Sequence, residues 1–162
     1  MINIREMRKE DRESVQKILV ETKKFTQEEI DVAMETIDIY LNNRSQKDYF
    51  IFSAILEDNS ITGFINFGPV PITEGTYDIY WVAVDPACQG RGMGTVLVSF
   101  VEEKVKAMEG YMICIETSST EKYLPTQKFY EKLGYILESR IRDFYRIGDD
   151  RMIYVKRLNT FM

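Results

Sequence analysis

Val82-Ala83-Val84-Asp85-Pro86-Ala87-Cys88-Gln89-Gly90-Arg91-Gly92-Met93-Gly94-Thr95 passes from one kind of backbone to another. Upstream, Tyr77 to Val84 is dense in aromatic and β-branched residues and predicts a strand. Asp85-Pro86 ends it, since proline offers no N–H to a ladder. Downstream, from about Gly92 to Met108, Val96, Leu97, Phe100, Val101 and Val105 recur at helical spacing and predict an amphipathic helix. Strand, glycine-rich loop and helix N-terminus in that order make a cradle for an anion. Glycines let the backbone approach a charged group closely. The first N–H groups of a helix lack partners within it, and the helix dipole favours negative charge there.

The spacing narrows the choice of anion. A nucleotide P-loop would end in Gly-Lys-Ser/Thr, which is absent. A dinucleotide fingerprint starting at Gly92 and Gly94 would need its third glycine at Leu97. The pattern that does fit is Gln-x-x-Gly-x-Gly, as Gln89-Gly90-Arg91-Gly92-Met93-Gly94. Following Val82-Ala83-Val84-Asp85-Pro86, it resembles the pyrophosphate-binding signature of the GNAT N-acetyltransferases. The resemblance implies acetyl-CoA as co-substrate, with the backbone of Val82, Ala83 and Val84 along its pantetheine arm. It places the N–H groups from Gly90 to Thr95 on the pyrophosphate, with Arg91 adding positive charge and Gln89 opening the motif.

A second resemblance lies downstream. Thr126-Gln127-Lys128-Phe129-Tyr130-Glu131-Lys132-Leu133-Gly134-Tyr135 is similar to the family's Phe-Tyr-x-Lys-Leu-Gly-Phe/Tyr motif. In many members the tyrosine matching Tyr130 protonates the departing thiolate, a task suited to a side chain that holds its proton at neutral pH. Phe129 is expected in the core. In the strand Tyr111 to Thr117, Glu116 interrupts an apolar run. Burying a carboxylate is costly, and apolar surroundings would make it a better base. Glu116 is therefore the first choice for general base, with Asp78 and Asp143 in reserve. One departure stands out: Tyr123 occupies a place where many relatives carry Asn, within Tyr123-Leu124-Pro125-Thr126. Phe25, Tyr40, Trp81, Phe144 and Tyr145 are candidates for an aromatic acceptor pocket.

Outward from these motifs the periods alternate. Ile2, Ile4 and Met7 suggest a first strand, and Val15, Ile18 and Leu19 a helix from about Arg8 to Lys24. Thr26-Gln27-Glu28-Glu29 is a capping-box start to a second helix carrying Ile30, Ala33, Met34, Ile37 and Leu41. Tyr49–Leu56 and Ile61–Phe67 read as strands flanking a turn at Glu57-Asp58-Asn59-Ser60. A helix near Pro125–Leu133 stops at Gly134, and strands follow near Tyr135–Tyr145 and Arg151–Arg157. The order β-α-α-β-β-β-α-β-α-β-β predicts an α/β fold. A mixed, twisted sheet of about seven strands would carry about four helices on its two faces, in one domain spanning 1–162.

Composition bounds the chemistry. The 162 residues contain two cysteines and no histidine. That excludes Ser-His-Asp and Cys-His machinery and leaves a metal site without its usual ligands. Cys88, beside the loop, is read as structural, because direct transfer needs no thiol relay. The net charge of −5 disfavours nucleic acid as a partner. No apolar run approaches the roughly 18 residues of a membrane span. The expectation is a cytoplasmic monomer or homodimer. It would bind acetyl-CoA and an amine acceptor, and transfer acetyl by direct attack. The alternatives are a non-catalytic acyl-CoA-binding module and a transferase of longer acyl groups.

Overall fold

The computed structural model describes residues 1–158. The element order is β1 (Asn3–Glu6), α1 (Arg12–Glu21), α2 (Gln27–Asn42), β2 (Phe50–Ile55), β3 (Ile61–Pro69), β4 (Thr76–Val84), α3 (Met93–Ala107), β5 (Met112–Ser118), α4 (Leu124–Lys132), β6 (Ile136–Arg146) and β7 (Asp149–Arg157). The strands form a seven-stranded sheet in the order β1-β2-β3-β4-β5-β7-β6. The sheet is mixed, with β1 and β2 antiparallel and β4 and β5 parallel. Strand count, helix count and order are those expected from the sequence. The contacts divide the chain into two compact units, Met1–Pro69 with Tyr80–Val101, and Val70–Ile79 with Glu102–Met162. Of the second unit, residues up to Leu158 are described, so the end of the expected 1–162 domain lies outside the described residues.

The first unit folds around a core of Val15, Ile18, Leu19, Ile30, Ala33, Met34 and Ile37 from α1 and α2, packed on Ile51, Phe64 and Ala83 of the sheet. Thr26 caps α2 as its sequence promised: its hydroxyl accepts from the Glu29 N–H at 3.2 Å. The first helix is shorter than its apolar period suggested. Lys9–Asp11 is a 3-10 turn, because Asp11 is drawn aside. Its carboxylate takes two hydrogen bonds from Arg5, at 2.7 and 2.9 Å, and one from Ser53 at 3.0 Å.

On α3 the buried positions are Met93, Leu97, Val98, Val101, Glu102 and Val105, whereas Val96 is 40% exposed. Of the expected stripe Leu97, Val101 and Val105 are buried and Phe100 is half-buried, while Val98 takes the place of Val96, a shift of about half a turn in a run where both are valine. Phe100 of α3 meets Phe52 edge-on at 4.8 Å. Close approach also fixes Gly63. A Cβ there would stand 2.8 Å from the Ala83 carbonyl oxygen and 3.3 Å from Leu97 Cδ1. Gly63→Ala is expected to cost about 1–3 kcal/mol through overpacking, read as a lowered urea midpoint. An unchanged midpoint would show that the neighbouring strand yields freely.

The second unit is built on β5. It pairs in parallel with the start of β4, from Thr76↔Met112 to Ile79↔Ile115. On its other side it pairs with β7, from Met112↔Arg157 to Ser118↔Arg151, and β7 pairs in turn with β6. Ile113, Ile115, Tyr130, Tyr135 and Tyr154 are buried here. Gly134 ends α4 at φ +93°, the left-handed geometry that favours glycine, and Tyr135 N–H closes on the Tyr130 carbonyl at 3.0 Å.

Candidate active site

The glycine-rich loop lies wholly in the first unit. Asp85 closes β4 by accepting from the Ala87 N–H at 2.9 Å, which turns Pro86–Cys88 into a single 3-10 turn. Gln89 reaches back to the Val84 carbonyl at 3.3 Å and ties the loop to the strand it leaves. Gly90 and Gly92 sit at φ +79° and +77°, and a Cβ built at either would meet nothing within 4 Å. The loop is therefore open on the side where those hydrogens point. Val96 N–H bonds to the Gly92 carbonyl at 3.1 Å, so Met93, Gly94 and Thr95 are the first-turn residues, whose N–H groups have no place in the helical ladder. Arg91 is exposed beside them, and the side chain of Met93 is buried. Val82 and Val84 are half-buried at the end of β4, with Ala83 buried between them. The expected cofactor residues thus run from the end of β4 through an open loop into the first turn of α3, with Arg91 exposed among them.

The expected catalytic pair stands in the second unit, on opposite faces of one ladder. Tyr130 packs its ring 6.3 Å from that of Tyr154, the partner of Ile115 across β5 and β7. Glu116, one residue on from Ile115, faces the other way. Glu116 corrects an expectation. It is not buried in an apolar strand: its side chain is 43% exposed and paired with Arg151 at 3.0 Å. It also accepts a hydrogen bond from the Tyr145 hydroxyl at 2.5 Å. The strand alternates, and the Glu116 face is the polar one.

Of the reserve carboxylates, Asp78 pairs in register with Cys114 and so shares the Glu116 face. Burial raises its pKa, the Glu116 charge raises it further, and Arg151 draws it back. Asp143 is structural: its carboxylate accepts from the Gly148 N–H at 2.7 Å and holds the β6–β7 turn. Phe129, expected in the core, is half-buried, while Tyr130 and the unflagged Gln127 are buried. Gln127 donates to the Ser118 carbonyl at 2.9 Å and fastens α4 to the end of β5. Of the aromatic candidates, Phe25, Tyr40 and Trp81 pack against the α1/α2 core, with Phe25 edge-on to Trp81 at 5.5 Å. Phe144 and Tyr145 are exposed and edge-on to each other at 5.1 Å. Arg151, which no sequence argument singled out, stacks its guanidinium 4.9 Å from the Phe144 ring.

The acetyltransferase (GNAT) family profile matches residues 12–135. The chain belongs to the GNAT acetyltransferase family. A GNAT-family protein from Desulfovibrio desulfuricans is 38% identical and superposes with a TM-score of 0.90, over 97% of this chain and 99% of its own. The GNAT fold also recurs at low identity. A ribosomal-protein-alanine N-acetyltransferase from Escherichia coli shares 16% identity at TM-score 0.75, over 100% and 97% of the two chains. An aminoglycoside 6'-N-acetyltransferase solved with coenzyme A shares 17% at TM-score 0.75, over 96% of each. No curated protein sequence matches this GNAT chain. Among the described residues, no helix is long and apolar enough to cross a membrane.

The tyrosines around α4 predict a pH dependence. Burial, with a hydrogen bond to Glu131, pushes Tyr154 up to about 12, and burial raises Tyr130, Tyr135 and Tyr145 as well. Below pH 10, the ordinary value, both folded and unfolded chains hold these protons. Above it the unfolded chain releases them first, so stability is lost as pH rises toward the folded values. The melting temperature is expected to stay level from about pH 8 to about pH 10 and to fall from there to about pH 12, with a shallower fall in Tyr154→Phe. A flat profile in calorimetric scans across that window would contradict this.

Proposed function

We propose that this GNAT protein is a cytoplasmic acetyl-CoA-dependent N-acetyltransferase that acetylates a primary amine by direct attack. The observation that carries the reading is the open loop, with two left-handed glycines ahead of the unladdered N–H groups of α3. A pyrophosphate is the anion whose size and charge suit a ledge of successive N–H groups with one arginine beside it. The N–H groups from Gly90 to Thr95 would hold it, with the β4 backbone from Val82 to Val84 along the pantetheine. Bound acetyl-CoA supplies the acetyl group as a thioester.

The remaining work falls to the second unit. The β4–β5 pairing stops at Ile79↔Ile115, so reacting atoms at the unpaired edge of β5 beside Glu116 would be open to both sheet faces. There Glu116 takes a proton from the ammonium of the acceptor, freeing the nitrogen lone pair. The N–C bond forms as the C–S bond breaks, the Tyr130 hydroxyl donates its hydrogen to the departing sulfur, and the second proton shed by the acylated nitrogen restores the Tyr130 hydroxyl. Burial holds Tyr130 protonated, so it acts as a donor that never needs recharging before the event. The first test is calorimetric titration with acetyl-CoA, using NAD and ATP as controls. Saturable binding of acetyl-CoA alone is expected, and its absence would remove the basis of the proposal. Thiol release with an amine panel then separates a transferase from a non-catalytic binding module, and competition with longer acyl-CoAs fixes the donor.

A further inference from the structure

The sheet face opposite Tyr130 carries a group of side chains that the transfer chemistry does not fully use. Asp78 and Glu116 lie on it through the β4–β5 register. Arg151 lies two residues from Ile153, the partner of Glu116, and hence on the same face. Tyr145 and Phe144 reach it from β6 by an irregularity: the register runs Ile141↔Arg151 and then Arg146↔Asp149, so β6 carries extra residues between them. Asp143 takes φ +54° inside that bulge. The bulge is clasped by Asp150, which accepts from the Asp143 N–H at 2.9 Å and from Arg140 at 2.6 Å. A bulge so fastened re-aims side chains, and here it delivers two aromatic rings to an ion pair. Those rings stay 48% and 39% exposed, for Phe144 and Tyr145.

The charges on this face can be counted. Arg146 is paired with Asp149 and Arg140 with Asp150, so neither basic residue adds free charge. Arg151 pairs with Glu116. Asp78 and Glu116 are thus two carboxylates beside one guanidinium, Arg151, which also draws on Asp78, and the three together carry one net negative charge. A single ammonium brought beside Asp78 favours its ionised form, whereas a second ammonium on the same ligand would meet Arg151. The Nε of Arg151 is buried without a hydrogen-bond partner, and its guanidinium lies over Phe144, so it is held in place by packing.

We infer that Asp78, Glu116, Arg151, Phe144 and Tyr145 form an acceptor subsite for an amine with one positive charge on an apolar or aromatic stem. The subsite rests on the transferase reading for its role, but its selectivity is a property of these side chains and can be read separately. The probes are phenethylamine, a monocation with a ring, and spermidine, a polycation. Two measurements use the full chain: calorimetric binding of each amine without acetyl-CoA, and kcat/KM for each with acetyl-CoA.

Phenethylamine is expected to be favoured over spermidine. Arg151→Met, which keeps an apolar stem against Phe144, is expected to move the ratio toward spermidine by about fivefold, the size of one partly screened ion-pair interaction. Phe144→Leu is expected to weaken phenethylamine more than spermidine. If the binding ratio shifts this way but no amine of the wider panel is acetylated either, the transferase reading fails and the group stands as an amine-binding subsite. If transfer proceeds and Arg151→Met leaves the ratio unmoved, or if neither amine binds, the subsite is overturned.

Discussion

Gly92→Val is expected to weaken acetyl-CoA binding by two to three orders of magnitude while leaving the protein folded. Two effects add. At φ +77° a residue with a Cβ pays roughly 1–2 kcal/mol, and a β-branched one more, so the loop would relax toward negative φ. That relaxation turns the N–H groups away from their common focus, and each charge-assisted hydrogen bond so lost is worth about 1.5–3 kcal/mol. Folding is spared because a Cβ at this position meets nothing within 4 Å. The melting temperature should drop by no more than a few degrees, about what 1–2 kcal/mol produces in a domain of this size. Calorimetric titration of the variant measures the first effect and a thermal scan the second. A Kd within a few-fold of the parent's, in a folded variant, would mean that the loop is an ordinary turn.

Tyr130→Phe carries the second large effect. Loss of a positioned proton donor is expected to lower kcat by about 10²- to 10³-fold, within the range of general acid catalysis. Binding of acetyl-CoA should be unchanged. The substitution keeps the ring that packs 5.4 Å from Phe129, 5.9 Å from Tyr135 and 6.3 Å from Tyr154, so the core survives. The comparison is single-turnover thiol release by parent and variant at saturating acetyl-CoA. If the two rates agree, Tyr130 is a packing residue and the thiolate is protonated by something else. Because burial raises the phenol's proton affinity, the parent's rate should show no limb from this group in the neutral range.

The parts of the fold legible in advance were those set by neighbours in sequence. The N-cap at Thr26, the turn through Asn59 at φ +67° and the stop at Gly134 are local chemistry, and each formed where its residues required. The glycine loop was legible for the same reason: strand end, proline, glycines and helix start are contiguous. What sequence misplaced depended on contacts across the sheet. Asp11, at the start of α1, is held by Arg5 on β1 and by Ser53, 42 positions away on β2. Glu116 looked buried because its sequence neighbours are. Its true surroundings are Tyr145 and Arg151, which only the β5–β7–β6 pairing brings near. The one sequence trace of that arrangement was the aromatic pair in Asp143-Phe144-Tyr145, and nothing local tells which strand those rings would meet.

The insertion of β7 between β5 and β6 has a consequence for how this unit comes into being. Two of the ladders of the second unit, β5 with β7 and β7 with β6, require the strand synthesised last of the seven. A ribosome that has delivered Met112 to Arg146 has therefore released two strands with no partner between them. Their edges stay unzipped until Asp149–Arg157 clears the exit tunnel. Over that interval the backbone of Ile136–Arg146 lacks its ladder partner, the kind of unpaired strand that a holding chaperone would shield.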